Sequence, residues 1–139
     1  MTMALAERSW CVVVPHHARG ARTARHRLTA ALTGEVSPAL LADMVAVLAE
    51  LAGNAVLHAD PLPGGVVRVA WRLRMGGADP MAEIRVTDGG AAQAPHLRDV
   101  DLEATEGRGL HIVAALSTRW GVERDGLGRC VWAELTASS

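Results

Sequence analysis

The sequence predicts an α+β fold, a two-layer α/β sandwich whose mixed, mostly antiparallel sheet is covered by helices on one face. Two runs, 66–75 (VVRVAWRLRM) and 82–88 (AEIRVTD), alternate apolar and polar residues, so each offers one face to a core and one to water. The run from Leu40 to His58 is apolar around much of its circumference, the pattern of a largely buried helix. Strands mostly follow one another directly, which favours antiparallel neighbours over crossover units. With 139 residues, no internal repeat and no linker-like stretch, residues 1–139 read as one domain with room for its own core.

Each element has a local reason. SWCVVVP (9–15) is a short apolar run stopped by proline, hence an opening strand. Residues 17–33 are rich in Ala and Arg, with Leu28 and Leu32 one turn apart and Gly34 closing the helix. Ser37 supplies an N-cap and Pro38 the first helical position of the long helix. Asp60-Pro61 and Pro63-Gly64-Gly65 end that helix and turn the chain. In the next strand Val67, Val69, Trp71 and Leu73 share the apolar face, opposite Arg68, Arg72 and Arg74. Gly76-Gly77 and Asp79-Pro80 make a hairpin-like connection to 82–88. After it, 88–95 is a loop and 96–106 is polar and poorly patterned. A glycine-started helix is expected over 107–120, then a hairpin of 120–125 and 129–136 around Gly126-Leu127-Gly128.

Composition narrows the function classes. Half the residues are apolar and the net charge is −1, which argues against a direct nucleic-acid binder. All fourteen basic residues are arginine. Cys11 and Cys130 lie in apolar runs without CxxC spacing and read as buried thiols of a reducing compartment. On the sequence pattern no apolar stretch approaches the ~18 to 20 residues of a membrane span, so a cytoplasmic protein is expected. His16, His17 and His26 have no metal-ligand company and read as solvated.

Three constellations carry chemistry. Asn54, the only asparagine in the chain, stands four residues after Glu50 on the apolar helix, so both side chains project to one side. An amide oxygen is a good ligand for a hard cation such as magnesium, and a carboxylate can orient or deprotonate a hydroxyl or water. His58 extends the stripe by one turn. Taken alone, such a stripe also fits the solvent-facing side of a helix. Asp88 shares parity with Ile84 and Val86, which puts a carboxylate on the apolar face of its strand. That position is unfavourable without donors, and an exocyclic amine of adenine is one; a turn-capping aspartate is the plainer alternative. Gly107-Arg108-Gly109-Leu110 opens a helix, where free backbone N–H groups and the arginine fork suit phosphate oxygens. A Walker-type loop is excluded by the absence of lysine, and Val113-Ala114 breaks a dinucleotide GxGxxG pattern.

In this order ELAGNAVLHA (50–59), IRVTDGG (84–90) and GRGL (107–110) resemble the N box and two glycine boxes of the histidine-kinase-like (Bergerat-fold, GHKL) ATPases. From WCVVVP to the closing hairpin the chain is similar to the small anti-sigma factor kinases of that superfamily. The resemblance implies ATP and Mg2+ as cofactors. Asn54 would be the metal ligand and Glu50 the general base or orienting residue. Asp88 would accept from the adenine amino group, and Gly90 would let the base lie close. Gly107, Arg108 and Gly109 would face the phosphates with Leu110 packed beneath, and His58 matches a frequent N-box histidine. Residues 91–106 would form the ATP lid. Relatives often carry Thr or Ser near the adenine in the final strand, where Cys130 falls here. The implied activity is serine/threonine protein kinase transfer from ATP to an anti-anti-sigma antagonist, in a regulator that holds a sigma factor. The alternative is a non-catalytic ATP-binding module that sequesters a sigma factor or other regulator. Family members commonly form homodimers.

Overall fold

The computed structural model describes residues 6–75, 80–90, 110–126 and 128–136. Strand β1 (Ala6–Pro15) leads into helices α1 (Ala18–Leu32) and α2 (Pro38–His58), then strands β2 (Val66–Met75) and β3 (Met81–Asp88). A short helix α3 (110–116) precedes β4 (Arg119–Asp125) and β5 (Gly128–Thr136). The sheet order is β1-β2-β3-β5-β4, and every pairing is antiparallel. The expected mixed component is absent among the described strands. Their pairing puts β3 at the centre, beside α2.

The helix-facing side of the sheet holds Val67, Val69, Trp71, Leu73, Ala82, Ile84, Val86, Ala133 and Leu135, all buried. Against them pack Leu28 and Leu32 of α1 and Met44, Val47, Leu48 and Leu51 of α2. The alternation read from the sequence is therefore the alternation of the folded sheet. Ser37 caps α2 by accepting from Leu40 N at 3.1 Å, with Pro38 as its first residue. By length and composition α2 is apolar enough to cross a membrane, contrary to the sequence expectation. Its contacts with β3, β5 and α1 instead mark it as the central helix of this core.

Close approach of α1 to the end of β1 requires Gly20, because a Cβ there would lie 1.9 Å from Pro15 O. The helix expected over 107–120 overruns. Thr118 N donates to Glu134 O at 2.7 Å, and Arg119 and Trp120 pair with Glu134 and Ala133 of β5. Sheet pairing claims these residues over their local helical pattern.

On the other side of the sheet the arginines interlock with glutamates. Glu83 is 6% exposed between Arg72 Nη2 at 3.1 Å and Arg85 Nη1 at 3.7 Å. Trp132 lies on this side too, over Gly121, where a Cβ would meet its ring at 2.9 Å. Arg119 covers the indole at 5.5 Å from the ring centroid. Trp132 is thus half-buried. Of the two cysteines, Cys130 is buried as expected, whereas Cys11 is exposed.

Candidate functional site

The site is built where the C-terminal end of α2 meets the end of β3. Glu50, Asn54 and His58 lie along one flank of the buried stripe of α2, and all three are half-buried. This agrees with their spacing, and each of the three is engaged in interactions. Beyond His58 the chain does not wander off. Asp60 N donates to Gly90 O at 3.0 Å, and Gly89 N donates to Asp60 O at 2.7 Å. This two-bond strap ties the end of α2 to the loop after β3. It also explains Gly89, whose Cβ would lie 2.2 Å from Pro61 O.

Asp88 ends β3 on the helix-facing side and is 1% exposed, the placement its parity predicts. Its Oδ1 accepts from Gly90 N at 2.6 Å, and its Oδ2 accepts from Arg129 Nη2 at 3.3 Å. Gly90 adopts φ 76°, a left-handed conformation that favours glycine, and so turns its N–H back onto the carboxylate. Burial pushes the Asp88 carboxyl above its ordinary value of 3.8, while Arg129 and the Gly90 N–H pull it back down. A buried carboxylate with donors on both oxygens is a prepared acceptor site.

Arg129 is the residue that the sequence reading missed. The β3–β5 register sets Asp88 opposite Arg129 and Thr87 opposite Cys130. Cys130 therefore lies on the other side of the sheet from Asp88, where burial raises its thiol and a hydrogen bond with Thr87 opposes the shift. The final-strand neighbour of Asp88 is Arg129. A signal for it was present, since Arg129 shares parity with Val131, Ala133 and Leu135, the same anomaly that singled out Asp88. Arg124 stands opposite Arg129 on β4.

Of the histidines read as solvated, His16 is anchored instead, while His17 is exposed and also serves as a cap. His16 Nε2 lies 2.9 Å from Ala55 O and 2.8 Å from Ala59 O, carbonyls at the last turn of α2. A donor there satisfies helix-end acceptors and complements the negative end of the helix. His17 caps α1 through Nδ1, which accepts from Arg19 N at 3.0 Å. His26 is exposed.

Leu110 is half-buried at the described start of α3, and Val113 enters the core. Gly107, Arg108 and Gly109, together with the expected lid at 91–106, lie outside the described residues.

The family model of the histidine kinase-like ATPase domain matches residues 14–135, which span every part of the site just described. Among solved structures, the chain is similar to the RsbU and RsbW domains of Rv1364c from Mycobacterium tuberculosis, with a TM-score of 0.65 and 18% identity. The match covers 95% of this chain and 34% of that one, so the chain spans about a third of that structure's length. No match is found among curated proteins. The buried Asp88, the Glu50–Asn54 flank and the strands β2 and β3 beneath them thus fall within one matched region, and the chain belongs to the histidine kinase-like ATPase family.

Proposed function

We propose that this chain binds ATP with Mg2+ and acts as an anti-sigma factor that phosphorylates a serine or threonine of an antagonist protein. The observation that carries the reading is Asp88, a carboxylate buried at the end of β3 and strapped to the helix that bears Glu50 and Asn54. Asp88 accepts from the exocyclic amine of adenine, the left-handed Gly90 leaves room for the ring, and the α2 flank faces the phosphates. The donor set fits a magnesium ion. Asn54 offers a neutral amide oxygen, and among the described residues no three His, Cys, Asp or Glu side chains form a metal cluster. Such a site leaves most octahedral positions to phosphate oxygens and water, the usual arrangement for this ion. When bound, magnesium neutralises phosphate charge. Glu50 orients the attacking hydroxyl and takes its proton, while Arg108 and the flanking Gly107 and Gly109 N–H groups hold the terminal phosphate. Leu110 packs beneath that turn, and His58 closes the flank near the strap.

Likeness to the RsbW domain of Rv1364c supports a sigma-factor pathway, with a sigma factor and an anti-anti-sigma antagonist as the proposed partners; a homodimer is the proposed working form. Neither direct nucleic-acid contact nor membrane contact is part of this role, which is that of a cytoplasmic regulator. The test is transfer of labelled phosphate from ATP to the antagonist, beside a Glu50→Ala control. Label that depends on Glu50 is expected, with a loss of about 100-fold or more on substitution, in the range of removing a general base. ATP binding without any Glu50-dependent label would leave the non-catalytic module that sequesters its partner. A chain that binds no ATP in calorimetry would refute both.

A further inference from the structure

Arg129 is an unusual neighbour for a base-binding carboxylate, and several observations say that it does more than balance charge. The β3–β5 register places it directly across from Asp88 on the helix-facing side of the sheet. Its side chain is 12% exposed, and its Nη2 donates to Asp88 Oδ2 at 3.3 Å. Its Nε is buried and, among the described residues, has no hydrogen-bond partner. Its Cβ stands 3.7 Å from the point a Gly90 Cβ would occupy, with Arg124 Nη1 3.9 Å from the same point, so both arginines flank the glycine against which the ring is to lie. A guanidinium has five N–H donors in one plane, and engaging Asp88 through one nitrogen leaves others in the same plane as the pair.

We propose that Arg129 is a second base-recognition residue, which donates a hydrogen bond to a ring nitrogen of the purine while Asp88 accepts from the neighbouring amine. The inference rests on the ATP-site reading above. Adenine presents an amine donor at N6 beside an acceptor at N1, and Asp88 with Arg129 presents an acceptor beside a donor. The two edges are complementary, so the base satisfies both groups when its N6 and N1 face the pair. Binding also gives a partner to a donor that is otherwise buried without one, so the empty site is poised for a ligand with an acceptor at that point. Asp88 alone reads the amine; the pair reads amine and ring nitrogen together.

The experiment compares ATP with 1-deaza-ATP, in which a C–H replaces N1 and all else is kept, by calorimetry in the presence of magnesium. Wild type should prefer ATP by about 10-fold or more, the size of one well-placed base contact. In Arg129→Met the affinity for ATP should fall toward that for 1-deaza-ATP, and the ratio should approach one. Arg129→Gln serves as the second variant, because its amide N–H still satisfies Asp88 and preserves the fold while leaving N1 without its donor. It should show the same collapse. A ratio unchanged from wild type in a folded Arg129 variant would overturn the inference and leave Arg129 as a structural counter-ion. Equal binding of both nucleotides by wild type would overturn it as well. If wild type binds neither nucleotide, the ATP-site reading fails with it, an outcome distinct from equal binding of both.

Discussion

Asp88 concentrates the tension between stability and function at a single residue. Its carboxyl is raised above 3.8 chiefly by burial, with Arg129 the largest opposing influence. A folded-state value above the unfolded one means that the protonated form is favoured by folding. Its contribution is fully present below the unfolded value and is lost as pH rises through the folded one. At neutral pH the ionised Asp88 therefore costs stability. Relative to wild type, the thermal stability of Asp88→Asn is expected to rise as pH goes from 4 to 7, whatever offset the loss of the Arg129 pair adds at both values, read from paired melts at each pH. The same substitution should abolish measurable ATP binding, because the amide keeps one acceptor oxygen for three donors, Gly90 N–H, Arg129 Nη2–H and the base, and turns an NH2 toward one of them. A stability gap that moves the other way between the two pH values would refute the linkage. Parity alone located this residue, since a carboxylate in register with Ile84 and Val86 had to sit on the core side. The bond to Gly90 and the facing Arg129 were not legible in the same way, because they depend on a turn conformation and on a strand register. His16 was misread for a related reason. Its partners are carbonyls 39 and 43 positions away, and nothing local announces them.

At the scale of elements, local signals sufficed wherever the chain alone decides the structure. Ser37-Pro38 opens α2 as expected, and β2 spans the residues its alternation marks. They failed at 118–120, where β5 recruits residues with a helical pattern, because tertiary pairing outweighs propensity differences of a few tenths of a kcal/mol per residue. The strap between α2 and β3 belongs to this scale as well. Its two backbone bonds hold the Glu50–Asn54 flank in fixed relation to Asp88, and Gly89 is the residue that permits the approach. In Gly89→Ala the added carbon meets the backbone oxygen of Pro61 at 2.2 Å, so a main-chain segment must move. Destabilisation of about 1–3 kcal/mol is expected, typical of overpacking at a rigid contact. ATP affinity should fall further than stability accounts for, because the shift parts the two halves of the site. Denaturant unfolding beside nucleotide calorimetry checks it. A variant that keeps wild-type affinity while losing stability would show that the strap does not position the site. Gly53, on α2, has no atom within 4 Å of an added Cβ and makes a suitable control.

The whole molecule separates two jobs by the two sides of its sheet. On the uncovered side Arg72, Arg85 and Arg119 are matched by Glu83, Glu123 and Glu134, at 2.7 Å for the Arg85–Glu123 pair. The exposed Arg85–Glu123 pair adds little stability, while Glu83 is buried between its arginines, and together the glutamates offset the arginine charge on this side of the sheet. The helix-covered side carries the core and, at its rim, the candidate site. Because the site joins α2, β3 and β5, ligand binding bears on the cooperative unit and not on a peripheral loop. A ligand bound only by the folded state stabilises it by about 2.7 kcal/mol at 100 times its Kd. For a domain near this size each kcal/mol moves the melting midpoint by about 2–4 °C, so saturating ATP with magnesium should raise Tm by about 5–10 °C. Asp88→Asn should show almost no rise, and Asn54→Ala should lose the part that depends on magnesium while keeping a smaller magnesium-independent one. A Tm raised equally in all three proteins would place the nucleotide elsewhere on the molecule and detach the Asp88–Asn54 assembly from ATP.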